Sequence, residues 1–254
     1  MGVSTPTVLR INGVRKTFAN NVALDETSLD ITAGSFTSLV GPSGCGKSTL
    51  FNVISGLLRP DTGSVVLGDR DITNSTGHVG YMLQKDLLVP WRTVLGNITL
   101  AAALTRKVTA QDRRDAEDNA RRYGLGDFLH HYPGALSGGM RQRVALMRTL
   151  ATNQSLLLLD EPFGALDSQT RLDMQQWLLQ IWADLMKTVI FVTHDVDEAI
   201  FLSDRVVVMS PRPGRVVADI SVDLPRPRTL ETLTDPAFVE LKREVLRLLH
   251  RSST

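Results

Sequence analysis

Residues 41–49 read GPSGCGKST, with glycines at 41, 44 and 46 leading into Lys47, Ser48 and Thr49. Glycine lets successive backbone N–H groups turn inward around phosphate oxygens, and a helix beginning there adds the positive end of its dipole. Gly41, Pro42, Ser43, Gly44, Cys45, Gly46, Lys47, Ser48 and Thr49 are therefore the candidate cradle for a nucleotide triphosphate. In such a loop the lysine reaches the β- and γ-phosphates and the hydroxyl of Ser48 holds Mg²⁺. A chance glycine loop is the bland alternative, and the flanking segments weigh against it. SFTSLV before the loop reads as a strand and STLFNVISGLL after it as a helix, the setting a phosphate loop requires.

A second group lies in LLLLDEPFGALD. The run Leu156 to Leu159 reads as a strand buried on both faces, which delivers Asp160 at its C-terminal end, where ligands bind in parallel α/β sheets. Asp160 suits Mg²⁺, directly or through water, and Glu161 suits polarisation of an attacking water. A third is ALSGGMRQRVALMRTLA, where Ser137 can cap a helix and Gly138 and Gly139 permit close approach to an anion. One triphosphate already has its cradle, so a second anion-recognising helix start points to a γ-phosphate met from another direction, such as a second subunit.

The elements that must position these residues follow from the pattern. VLRING, VALDETSLDI and SFTSLV read as strands, and the segment from about Asp86 to Pro133 turns helical and polar, with DRRDAEDNARRY its most charged part. Ser168 is the expected N-cap of a helix whose Met174, Trp177, Leu178, Ile181, Trp182 and Leu185 form one apolar stripe, which is core packing. TVIFVT and RVVVMS read as two more buried strands, PRPG and LPRPR as loops, and the chain ends in an amphipathic helix carrying Phe238, Leu241, Val245, Leu248 and Leu249. The expected class is α/β, with a mainly parallel core sheet, an N-terminal antiparallel part and an inserted helical subdomain.

Composition narrows the partners. A chain of 254 residues with 43% apolar and 22% charged residues is an ordinary folded domain, and a net charge of +1 gives no electrostatic case for nucleic acid. The single cysteine, Cys45, excludes an intramolecular disulfide framework and fits a reducing compartment. No apolar run approaches the ~18 residues a spanning helix needs. The start MGVSTPTVLR has no secretory pattern, and Pro6 stands where myristoylation after Met1-Gly2 wants Ser or Thr. Any membrane role is expected to come through a partner.

Over essentially its whole length the chain resembles the ATP-binding subunits of ABC transporters. GPSGCGKS is similar to the Walker A loop, Gln84 in YMLQKD to the Q-loop glutamine, and LSGGM to the signature motif. LLLLDE is similar to Walker B with its catalytic glutamate, Ala165-Leu166-Asp167 to the D-loop, and His194 in FVTHD to the switch histidine. Phe18 stands where the family carries an aromatic that stacks on adenine. The resemblance implies a P-loop NTPase core over residues 1–85 and 134–210, a helical subdomain beginning at 86–133 and continuing into the signature helix, and a tail over 211–254. It implies ATP and Mg²⁺ as ligands, with Ser48, Gln84 and Asp160 about the metal, His194 fixing the γ-phosphate, and Asp167 at the nucleotide. It further implies a head-to-tail dimer that clasps two ATPs, Walker A of one subunit facing Ser137 to Gly139 of the other.

Met140 departs from the general signature, which has Gln there, so a contact through that side chain is not expected while the backbone and Ser137 contacts survive. Cys45 reads as a small filler of the loop; were it accessible, alkylation would block nucleotide binding. KDLLVPWRTVLGNI and SPRPGRVV resemble the nitrate/sulfonate/taurine group of importers, which includes bicarbonate and thiamine-precursor or riboflavin systems. The resemblance implies a peripheral subunit on the cytoplasmic face of the membrane, docked under integral permease subunits and serving an extracytoplasmic solute-binding protein indirectly. Trp91 and Arg92 lie where a permease coupling helix would rest, or Trp91 packs within the helical subdomain. A lipid-trafficking ATPase and a soluble non-transport ABC ATPase remain the alternatives. The latter usually carries two cassettes or long coiled-coil arms, for which residues 84–137 leave no room.

Overall fold

Alternate residues of an extended chain face opposite ways, so the apolar alternation between Val8 and Thr32 builds two strands with one buried face. β1 (Thr7–Phe18) and β2 (Asn21–Thr32) pair antiparallel and bury Leu9, Ile11, Val14, Leu24, Leu29 and Ile31. β1 is longer than VLRING suggests. Lys16, Thr17 and Phe18 still pair, with Leu24, Val22 and Asn21, and bring Phe18 to the hairpin tip. The computed structural model describes residues 6–251, so the Met1-Gly2 start on which the acylation reading turned lies outside the described residues.

In chain order there follow β3 (Phe36–Val40), α1 (Lys47–Ile54), β4 (Thr62–Leu67), β5 (Arg70–Asp71), β6 (Gly80–Met82), α2 (Val94–Ile98), α3 (Leu100–Thr105), α4 (Ala110–Arg122) and α5 (Gly138–Leu150). The remainder are β7 (Leu156–Asp160), α6 (Ser168–Leu185), β8 (Thr188–Thr193), α7 (Val196–Leu202), β9 (Arg205–Met209), β10 (Val216–Ser221) and α8 (Pro236–Arg251). These elements fall into two compact units, one of residues up to 79 together with 186 onward, the other Gly80–Leu185.

In the first unit, β2-β1-β4-β5 form an antiparallel sheet, and β10-β9-β3-β8 lie side by side with β3 parallel to both β8 and β9. β3 and β8 are buried throughout, as uninterrupted apolar runs require when both faces are covered. α8 packs on α7 and β9 through Phe238 and Val245, so the terminal helix closes this unit as its stripe implies.

LPRPR does more than a loop need do. Arg228 is buried, and its guanidinium donates to the carbonyls of Ile200, Phe201 and Ser203, at 2.8, 3.0 and 2.6 Å, where α7 ends. It thereby satisfies acceptors that a helix C-terminus leaves without partners. Burial, with a smaller push from Arg226, lowers its pKa to about 10, so the group keeps its charge at neutral pH. Arg228→Met should lower the unfolding free energy by about 3 kcal/mol, since buried acceptors left unmade cost ~1–3 kcal/mol each. Urea titration checks this, and an unchanged midpoint would show that water replaces the guanidinium.

In the second unit, β6 runs parallel to β7, with Met82 beside Leu159. DRRDAEDNARRY becomes α4, begun by a capping box in which Thr109 and Asp112 serve each other's backbone N–H groups. On α6, Met174, Trp177, Leu178, Ile181 and Trp182 are buried as the stripe predicts, whereas Leu185 is exposed because the helix ends there. Trp177 donates its indole N–H to the Tyr123 carbonyl at 3.1 Å and carries the Arg143 guanidinium 5.1 Å from its ring centroid. The expected cap at Ser168 is corrected by one residue: the Asp167 carboxylate accepts from the Thr170 N–H at 3.0 Å. A carboxylate is the stronger acceptor for that N–H.

Candidate functional site

In the first unit the phosphate-loop candidates and His194 start from neighbouring strand ends. The parallel register sets Val40 beside Thr193, so Gly41 and His194 leave β3 and β8 on the same side of the sheet. Gly44 and Gly46 have φ of +77° and +106°, a left-handed backbone that a side chain disfavours. Space forbids one at 46 as well, since a Cβ there would lie 2.7 Å from the Ala23 carbonyl oxygen. Gly46 is also the N-cap of α1, and no side chain caps that end. The helix therefore opens without a side-chain cap, a setting that suits an anion at its N-terminus.

Lys47 is 6% exposed, and its ammonium donates to the carbonyls of Gly41 at 2.7 Å and Pro42 at 3.2 Å. It is thus held within the loop with its charge directed at the cradle rather than at bulk water. Cys45 is buried with its sulfur 3.7 Å from that ammonium, which fits the filler reading and removes the accessibility that alkylation would need. Ser43 and Ser48 are exposed, and Pro42 and Thr49 half-buried. Phe18 is 46% exposed at its hairpin tip, with the Lys16 ammonium 5.7 Å from the ring centroid, so a ring face is open to a planar ligand. His194 is exposed, and the next residue, Asp195, caps α7 by accepting from the N–H groups of Asp197 and Glu198.

In the second unit the carboxylates stand at the end of β7. Asp160 is 5% exposed and accepts a long 3.5 Å hydrogen bond from the Tyr81 hydroxyl. Burial, reinforced by the Asp160 charge, pushes the Tyr81 phenol well above the usual tyrosine range, so it stays a donor. Glu161 sits at φ +43°, a strained setting for a residue with a side chain and one that clusters at functional sites. The Gln84 side-chain amide donates to Glu161 Oε2 at 3.3 Å, so the two predicted residues meet. The segment after Gln84 is tied to α5: Arg141 pairs with Asp86 at 3.2 Å, and Arg148 donates to the carbonyls of Asp86 and Leu87 at 2.5 and 2.7 Å.

Ser137 caps α5, accepting from the Met140 N–H at 3.3 Å, and is exposed. The two glycines after it differ in role. A Cβ on Gly139 would lie 2.9 Å from Thr170 Cγ2, so this glycine is needed for α5 to pack near α6. Asp167 is engaged as the α6 cap, and its two hydrogen bonds from Thr170 hold the carboxyl below the usual range.

Trp91 is 78% exposed, which overturns the reading that buries it in the helical segment. Asn97, fully buried, fixes the loop beneath it by donating to the carbonyls of Val89, Arg92 and Thr93 and accepting from the Val89 N–H. Tyr81, Arg141, Arg148 and Asn97 carry no motif that sequence reading could have singled out.

These arrangements agree with the comparisons. The family model described as ABC transporter matches residues 24–164. The chain is 44% identical over 234 residues to a taurine import ATP-binding protein of Rhizobium johnstonii, covering 90% of this chain and 89% of the relative. An ATP-binding cassette of an ABC transporter solved in its ADP conformation superposes with a TM-score of 0.78 at 26% identity, covering 93% of this chain and 98% of that one. A dimeric cassette in a post-hydrolysis state with ADP and Pi gives a TM-score of 0.73 at 31% identity, over 85% and 100%. The loop around Lys47, the carboxylates ending β7 and these likenesses agree, and the chain belongs to the ABC transporter family as an ATPase cassette whose hydrolysis of ATP is coupled to transport.

Proposed function

We propose that this chain powers import of a small sulfonate-bearing solute of the taurine kind through separate membrane permease subunits, working as a nucleotide-sandwich dimer. The observation that carries the reading is the 44% identity, over nine-tenths of the chain, to a taurine import ATP-binding protein. The exposed indole of Trp91, held on an Asn97-braced loop, together with the exposure of Leu83 and Leu87 earlier in the same stretch of chain, supports a docking role for that segment. Among the described residues no helix is long and apolar enough to cross a membrane. The likeness to a taurine import ATP-binding protein supports a transport path formed by partner subunits, with this chain docked on their cytoplasmic face.

The roles follow from the side chains. Lys47 and the amides of residues 41–49 bind the β- and γ-phosphates, Phe18 stacks on adenine, and Ser137 with Gly138 and Gly139 meets the γ-phosphate of the ATP held by a second copy. Ser48, Gln84 and Asp160 would offer Mg²⁺ the hard oxygen donors it prefers. When bound, Mg²⁺ would supply charge neutralisation to the transferring phosphoryl group. Glu161 orients the attacking water and His194 holds the γ-phosphate, while the D-loop around Asp167 borders the nucleotide. We keep residues 86–133 and α5 as the helical subdomain in this scheme.

Detergent extraction of native membranes with a tagged chain tests the reading. Recovery of a multi-helix permease, with loss of labelled taurine uptake in a strain lacking the chain, is the expected result. Recovery of ribosomes, DNA or a lipid-transfer complex would overturn it.

A further inference from the structure

The hairpin that joins β9 to β10 touches the phosphate loop. Ser210 and Arg215 close it, the Ser210 N–H donating to the Arg215 carbonyl at 2.9 Å and the Ser210 hydroxyl to the Pro213 carbonyl at 2.9 Å. Arg212 at its tip donates from Nε and Nη2 to the Gly44 carbonyl, at 3.3 and 3.2 Å. Gly214 lies so near the loop that a Cβ there would stand 2.0 Å from the Cys45 carbonyl oxygen. The same glycine donates to the Ala23 carbonyl at 2.9 Å and accepts from the Asp25 N–H at 3.1 Å, while Arg215 pairs with Asp25. The hairpin is therefore fastened to β2 on one side and to residues 44 and 45 on the other.

We propose that Arg212 is a positioning residue for nucleotide binding, acting through the Gly44–Cys45 peptide, an inference that rests on the phosphate-binding reading of residues 41–49. Gly44 is left-handed, so the orientation of the peptide after it is weakly fixed by the chain itself. A guanidinium on the outward carbonyl fixes that orientation, and it polarises the peptide so that the Cys45 N–H becomes a stronger donor. In this structure that N–H rests on the Pro42 carbonyl at 3.2 Å, a long contact that a phosphate oxygen can displace. The exposed side chain of Arg212 thus works on the cradle from outside, without touching the ligand.

The test compares wild type with Arg212→Ala, Arg212→Gln and Arg212→Lys, using fluorescent ATP and ADP analogues and steady-state hydrolysis. Arg212→Ala should weaken ATP and ADP equally, by about fivefold, as expected for an exposed charge-assisted hydrogen bond. KM should rise with kcat unchanged, and Lys should restore part of the loss while Gln restores less. An equal affinity in all four proteins overturns the proposal. A loss much larger for ATP than for ADP also overturns it, because that would make Arg212 a direct γ-phosphate ligand. A fall in thermal midpoint without a change in KM assigns it a structural role and overturns it too. If wild type itself binds neither analogue, the reading of residues 41–49 fails instead.

Discussion

Lys47→Ala is expected to abolish ATP binding at any practical concentration, raising Kd by at least ~10²-fold. The ammonium is already desolvated, so its contacts with phosphate are made without first stripping a full hydration shell, and each such charged hydrogen bond contributes about 1.5–3 kcal/mol. Two of them, about 3–6 kcal/mol, exceed the ~2.8 kcal/mol that a hundredfold loss of affinity requires. The truncation also strands the Gly41 and Pro42 carbonyls, both of which accept from this side chain. Lys47→Met strands the same carbonyls but keeps most of the stem's packing, so it should bind as poorly as the alanine variant while melting closer to wild type. Isothermal titration with a non-hydrolysable analogue decides, and wild-type affinity in a folded variant would contradict the assignment of the loop.

Glu161→Gln should bind ATP normally and hydrolyse it at least ~10²-fold more slowly, the usual scale of a lost general base. The substitution is close to isosteric and leaves an oxygen to accept from Gln84, so the strained turn at residue 161 keeps its partner. What it removes is the capacity to draw a proton from water. With hydrolysis blocked, the γ-phosphate proposed to join two copies would persist, and ATP should shift the variant to a dimer on a sizing column. A rate near wild type would place the base elsewhere. A slow variant that stays monomeric would leave the base in place and sink the sandwich.

The motifs were legible because phosphate chemistry compresses its needs into short runs. Glycines, Lys47 and Ser48 sit within nine residues, and the apolar strand before Asp160 announces its own burial. Helices with a sharp stripe, such as α6 and α8, were legible for the same local reason. What escaped is non-local. Arg212 reaches Gly44 across 168 positions, and no periodicity reports such a contact. Gly139 looked like an anion site alone because the crowding by Thr170 exists only once the helices are packed. The cap of α6 slipped by a residue because Asp167 and Ser168 are both good capping types, and only the turn geometry chooses between them.

The buried guanidinium of Arg228 has a temporal consequence. The carbonyls that end α7 wait for a group made 28 positions after Ile200, and α7 begins directly behind His194 and Asp195. Synthesis runs from the N-terminus, so a nascent chain carries its complete phosphate loop long before the segment after His194 can be locked. The end of α7, the helix that follows His194, is therefore completed only after Arg228 has left the ribosome, and a chain stopped before that residue would carry residues 41–49 with those carbonyls unmet.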